Sequence, residues 1–153
     1  TTVPLQLAIE TGRSFDEAYA LVADVPLSAS HFPGLKGLDD LGGERYRWRM
    51  ERVSLGRFNI DTGYVAAYTC DAATGTVAWQ TVEPAGNVRA TGRWLVSASA
   101  GGTRLDFQNL LDLSLDLPRL AFPLAKRAVP VIYRERTTAY LRRIAERLGG
   151  QLV

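Results

Sequence analysis

The stretch TRLDFQNLLDLSLDL, residues 103–117, constrains the fold more than any other part of the chain. Leu105, Phe107, Asn109, Leu111, Leu113, Leu115 and Leu117 fall on one face of an extended strand. Arg104, Asp106, Gln108, Asp112, Ser114 and Asp116 fall on the other, with Leu110 the exception. Successive side chains of a strand point to opposite faces, so this strand belongs to a sheet that is wet on one side and covered on the other. The cover follows at once. LAKRAVPVIYRERTTAYLRRIAERL, residues 124–148, sets Val129, Tyr133, Thr137, Tyr140, Leu141, Ile144 and Leu148 along one stripe of a long helix, which the pair Gly149-Gly150 ends. Pro130 inside it predicts a kink, or a separate first segment.

Upstream, Val3, Leu5, Leu7 and Ile9 alternate as in a strand. Ser14 and Glu17 then have the spacing of a capping box, and Phe15, Ala18, Tyr19 and Val22 share a helical face that stops at Pro26. PLSASHFPG allows a second short helix. Between Leu35 and residue 117, turn signals recur every eight to fifteen residues: Gly42-Gly43, Gly56, AATG, PAGN and AGG. Such spacing describes a meander of antiparallel strands. The compact solution is α+β: a curved antiparallel sheet of about seven strands wrapped around the C-terminal helix, with two short helices after the first strand. Residues 1–153 are expected to form a single domain, since neither a linker nor an internal repeat interrupts them.

Composition removes several function classes. With 46% hydrophobic and 22% charged residues the chain reads as an ordinary globular protein, and a net charge of +2 does not mark a nucleic-acid binder. One cysteine, Cys70, and one histidine, His31, leave no multi-cysteine cluster and no usual zinc or haem arrangement, so no metal and no cofactor is expected. The opening TTVPLQLAIE lacks the regions of a signal peptide and no apolar run approaches a spanning helix, which predicts a cytoplasmic, soluble protein. Lysine occurs only at Lys36 and Lys126; the preference for arginine, with abundant Ala, Gly and Leu, suggests a GC-rich bacterial genome.

YRWRMERV, residues 46–53, interleaves aromatics with arginines. A platform for single-stranded nucleic acid needs both on one surface. Alternation separates them instead: Tyr46, Trp48 and Met50 on one face, Arg45, Arg47 and Arg49 on the other. The stretch therefore reads as a wall of a pocket or core, and nucleic acid is not an expected partner. Arg52 continues the apolar face, at a rim or paired with an acid. Phe58, Ile60, Thr62, Tyr64, Ala66, Tyr68 and Cys70 share a face of the next run; Val77 with Trp79, and Val88, Ala90, Gly92, Trp94 and Val96, do so in the two after it. Small residues (Ala66, Ala90, Gly92) among large rings leave room for a ligand, and apolar walls with a few polar tips are what small-molecule sites are made of. The candidate ligand-binding residues are Tyr46, Trp48, Met50, Thr62, Tyr64, Tyr68, Trp79, Trp94, Phe107, Asn109 and Tyr133. Asn109, an amide in a leucine-rich row, must find a partner in protein, water or ligand.

For catalysis the candidates are weak. His31 has a suitable titration range but no nucleophile motif beside it. Asp61 and Asp112 fall on outward faces, and Cys70 reads as a small hydrophobe. The long helix carries Lys126, Arg127, Arg134, Arg136, Arg142, Arg143 and Arg147 against Glu135 and Glu146. That excess either draws the protein transiently to an anionic membrane or forms a solvated face.

The order of elements, together with FDEAYALVADVPLSASHFPGLKGL, VAWQTVEP, GGTRLDFQ and a final helix with prolines near its start, resembles the helix-grip superfamily (SRPBCC). That superfamily includes START lipid-transfer domains, the birch-pollen allergen and bacterial polyketide cyclase/dehydrase-like proteins. The resemblance implies a deep cavity between sheet and long helix, and with it binding or transport of a hydrophobic small molecule such as a lipid, quinone or polyketide. It also admits a polyketide aromatase/cyclase-type enzyme, with His31 or a tyrosine as acid or base, and a macromolecular interaction module.

Overall fold

A computed structural model describes residues 2–84, 88–113 and 117–153. In chain order the elements are β1 (Thr2–Thr11), α1 (Phe15–Ala23), α2 (Val25–Ala29), β2 (Leu35–Gly42), β3 (Arg45–Met50), β4 (Val53–Leu55), β5 (Phe58–Ile60), β6 (Tyr64–Asp71), β7 (Thr76–Pro84), β8 (Val88–Ser99), β9 (Gly102–Leu113), α3 (Phe122–Arg147) and β10 (Gln151–Leu152). Eight strands form one antiparallel sheet in the order β10-β1-β9-β8-β7-β6-β3-β2, and β4 pairs with β5 as a separate hairpin. The α+β arrangement, the two early helices and the long final helix are those expected from the sequence.

Three details differ. FNIDTGYVAAYTC is not one strand, because Asp61 Oδ1 accepts a hydrogen bond from the Gly63 backbone at 2.9 Å and turns the chain between β5 and β6. The Arg52 side chain is not on the apolar face: β3 ends at Met50, and Arg52 lies exposed before β4. The chain also adds a strand after the helix. Gly149 takes φ +61°, Gly150 N–H closes on the Ala145 carbonyl at 2.8 Å, and β10 then pairs with the outer edge of β1. That left-handed residue is what the sequence's glycine pair supplies. The predicted PAGN turn and the inward row beyond Leu113 fall partly outside the described residues, at 85–87 and 114–116.

Local chemistry explains the helices. Ser14 Oγ accepts from Glu17 N–H at 3.2 Å and caps α1; Asp24 Oδ1 accepts from Leu27 N–H at 3.2 Å and caps α2, whose first turn contains Pro26. The helix α3 runs through Pro130 and buries Val129, Thr137, Tyr140, Leu141 and Ile144 against the sheet. Thr11 Oγ1, on β1, donates to the Leu148 carbonyl at 2.7 Å and pins the end of the helix.

The apolar interior is in two parts. One contains Trp94, Phe107, Tyr140, Leu141, Ile144 and the inward face of α1; the other contains Val53, Leu55, Ile60, Val88, Leu111, Ala125 and Val129. Members of both face a cavity that lies between them.

Candidate functional site

The cavity is walled by α2, α3 and the inward faces of β3 and β6–β9, and by Val22 of α1, Phe32, Val53 of β4 and Thr62. Its volume open to the centre of a water-sized sphere is about 110 Å³, and the whole space between its walls, mouth included, is about 960 Å³. Ten of the eleven residues expected from the sequence line it: Trp48, Met50, Thr62, Tyr64, Tyr68, Trp79, Trp94, Phe107, Asn109 and Tyr133. Tyr46 does not; its ring meets that of Tyr68 edge-on at 5.7 Å.

Aromatic rings close a circuit around this space. Trp48 meets Phe32 edge-on at 6.0 Å, Phe32 meets Tyr140 at 5.5 Å, and Tyr140 meets Phe107 at 6.3 Å. Phe107 then meets Trp79 at 5.6 Å, and Trp79 meets Tyr68 at 6.0 Å. Trp48 Nε1 donates to the Tyr68 hydroxyl at 3.1 Å and completes the loop. Rings held by their neighbours on both sides cannot readily collapse into the space they enclose.

The polar tips are few and mostly tied down. Trp79 Nε1 donates to Asn109 Oδ1 at 2.9 Å, and Asn109 Nδ2 donates to the Tyr133 hydroxyl at 2.7 Å. The partner that Asn109 required is thus protein on both sides. Ser28 and Tyr140 share a hydrogen bond of 2.5 Å between α2 and α3. Tyr64 and Tyr68 sit deep in the protein, and burial pushes both hydroxyls well above the ordinary tyrosine value. Burial also pushes Tyr133 up to about 12, against the opposing hydrogen bond from Asn109. These hydroxyls stay protonated at physiological pH, and those of Tyr68 and Tyr133 accept hydrogen bonds from Trp48 and Asn109. Thr137 Oγ1, one turn further along α3, is buried without a hydrogen-bond partner among the described residues.

Several expectations need correction. His31 does not face the cavity. It follows α2, with Nδ1 2.9 Å from the Leu27 carbonyl, where it serves the helix end. Cys70 is exposed rather than packed, because it lies at the far end of β6. The room at the small residues is not the ligand's room: Ala66 and Ala90 are fully buried, and the place of a Gly92 side chain is taken by Trp79 and Asn109. Asp61 is spent on its turn, and among the described residues no group of three or more His, Cys, Asp or Glu could hold a metal. Alternation alone missed Phe32, Ser28 and Arg136. Phe32 and Ser28 sit outside any strand, and Arg136 looked like one more base on a charged helix, although its 3.6-residue spacing from Val129, Tyr133 and Tyr140 places it beside the inward stripe.

No family model matches the sequence, and no curated protein is significantly similar to it. Solved structures are similar over nearly the whole chain. The aromatase/cyclase Zhui from Streptomyces sp. R1128 superposes with a TM-score of 0.74 at 14% identity, over 97% of this chain and 94% of its own. A START superfamily protein from Mycobacterium smegmatis gives 0.66 at 13% identity, covering 97% of each chain. Norcoclaurine synthase from Thalictrum flavum gives 0.63 at 14% identity, over 95% of this chain and 86% of its own. At such identities the likeness is one of fold. The chain has the helix-grip fold that these START-type, cyclase and norcoclaurine synthase structures share.

Proposed function

We propose that this protein binds or carries a hydrophobic small molecule in the cavity between sheet and long helix. The observation that carries the reading is the circuit of rings around an apolar space that has only a few hydroxyl, indole and amide groups. Such walls suit a lipophile: burial drives binding at about 25 cal/mol per Å² before ordering costs, and the polar tips set orientation. Lipid, quinone and polyketide-like ligands share that chemistry. Two of the similar structures are named as enzymes, and a cyclase reading remains the rival. It needs an acid or base poised near neutral pH. No His, Asp, Glu, Lys or Cys lines the cavity among the described residues, and its tyrosines are shifted away from that range. Binding is therefore favoured over catalysis.

The proposal includes a cytoplasmic setting, in keeping with an exposed free thiol, and transient contact with anionic membrane. Among the described residues no helix is long and apolar enough to cross a membrane. At the start of α3, however, Leu120, Phe122 and Leu124 are exposed beside Arg119, Lys126 and Arg127, a pairing of apolar and basic groups suited to an acidic lipid surface.

All three tryptophans line the cavity, so their emission reports its occupancy directly. Native mass spectrometry of gently purified protein, followed by organic extraction, should reveal a co-purifying lipophile. Met50→Arg, at a half-buried position in the wall, should release it. A folded protein that binds no lipid, quinone or aromatic polyketide by mass or by tryptophan emission would overturn the reading.

A further inference from the structure

Arg136 is the one charged side chain among the described residues that line the cavity. It is half-buried, and its guanidinium packs against the α-carbon of Gly34: a β-carbon there would lie 3.0 Å from Nη1. Arg136 therefore borders the cavity where α3 meets the segment between α2 and β2. Arg13, Arg49 and Arg104 each hold a carboxylate within 3.3 Å, whereas Arg136 forms no ion pair among the described residues. A cation set into an apolar wall is costly unless water or a counter-ion serves it. Beside it on the same helix, Thr137 lines the cavity, and its Oγ1 is buried with no hydrogen-bond partner among the described residues. The wall thus offers one cation and one unused hydroxyl, and no acid to balance them.

Building on the binding reading above, we propose that the cavity selects carboxylic acids with an apolar body, the carboxylate pairing with Arg136 and the body lying among the rings. The planar guanidinium matches a carboxylate through two parallel N–H···O bonds, a geometry that neutral alcohols or esters do not reproduce. Thr137 supplies a further donor to the same head group. An amine-bearing ligand of the same shape meets an uncompensated positive charge instead.

Isothermal titration of the full chain with decanoate against decanol, and 1-naphthoate against 1-naphthalenemethanol, tests this. The acids should bind at least tenfold more tightly than the alcohols. Arg136→Gln should remove that preference by weakening the acids at least tenfold more than the alcohols, while Arg136→Lys should keep part of it. Alcohols that bind the wild-type protein as tightly as the acids, or an acid preference that survives Arg136→Gln, would overturn the proposal while leaving hydrophobic binding intact. If neither acids nor alcohols nor other lipophiles bind the folded chain, the binding reading falls and this proposal with it.

Discussion

Asn109 Nδ2, on β9, donates to the Tyr133 hydroxyl, on α3, at 2.7 Å, so a side-chain amide spans from the sheet to the long helix beside the cavity. The same amide accepts from Trp79 at 2.9 Å and thereby joins β7, β9 and α3. Replacing Asn109 by Leu leaves the indole N–H and the phenol hydroxyl without their partner in a part-buried place. Each such loss costs about 1–3 kcal/mol. Asn109→Leu should lower the unfolding free energy by about 2–4 kcal/mol in urea titration, and a double-mutant cycle with Tyr133→Phe should show coupling of about 1 kcal/mol. Additive effects would mean that the two residues do not interact.

Gly92 is required for this arrangement by space. A β-carbon at Gly92 would stand 2.3 Å from the Gln108 carbonyl oxygen, 2.7 Å from Asn109 Oδ1 and 2.7 Å from Trp79 Cζ2. The nearest of these is backbone of the neighbouring strand, which cannot swing aside. Overpacking of this kind costs about 1–3 kcal/mol. Gly92→Ala should lower the urea midpoint accordingly and shift the tryptophan emission by displacing Trp79. An unchanged midpoint and spectrum would show that the strand pair yields without cost.

The architecture was legible because its determinants are periodic. The alternation of 105–113 and the stripe from Val129 to Leu148 fix which faces meet; nine cavity residues followed from strand parity, and Tyr133 from the helical stripe. Parity says which side a residue faces; it does not say whether the space there is empty. That is why Gly92 looked like room for a ligand when its neighbours had already filled it, and why Cys70, on the same parity as Tyr64 and Tyr68, is exposed where the cover ends. Phe32 and Ser28 reach the cavity from the short helix and the segment after it, where no period holds. Arg136 was legible by spacing and hidden by charge.

His31 provides a direct check on the catalytic alternative. Its Nδ1 lies 2.9 Å from the Leu27 carbonyl, and its backbone carbonyl accepts a long hydrogen bond from Arg143 at 3.4 Å. It lies outside the cavity wall. His31→Gln should change stability by less than about 1 kcal/mol, the range of half-exposed sites that carry no core packing. The affinity for a neutral lipophile such as decanol should be unaltered. A tenfold loss of affinity at unchanged stability would place the imidazole in the site after all.

Tyrosine ionisation reports the enclosure of the cavity. The chain has six tyrosines. Burial raises Tyr64, Tyr68, Tyr133 and Tyr140 above the ordinary value of 10.0, and among these Tyr133 rises to about 12. Tyr19 and Tyr46 lie near the surface and are raised as well, by the little burial they have and then by nearby acidic groups. A phenol whose folded value exceeds its unfolded value keeps its proton longer in the native state. Its contribution to stability is fully present below pH 10 and is lost as pH rises through the folded value. Stability should therefore be insensitive to these groups up to about pH 9 and decline steeply beyond pH 10. Absorbance at 295 nm should show Tyr19 and Tyr46 ionising first, while the four cavity tyrosines appear in one step together with loss of the folded circular dichroism signal. Smooth ionisation of all six before any unfolding would mean that solvent already fills the space between sheet and helix.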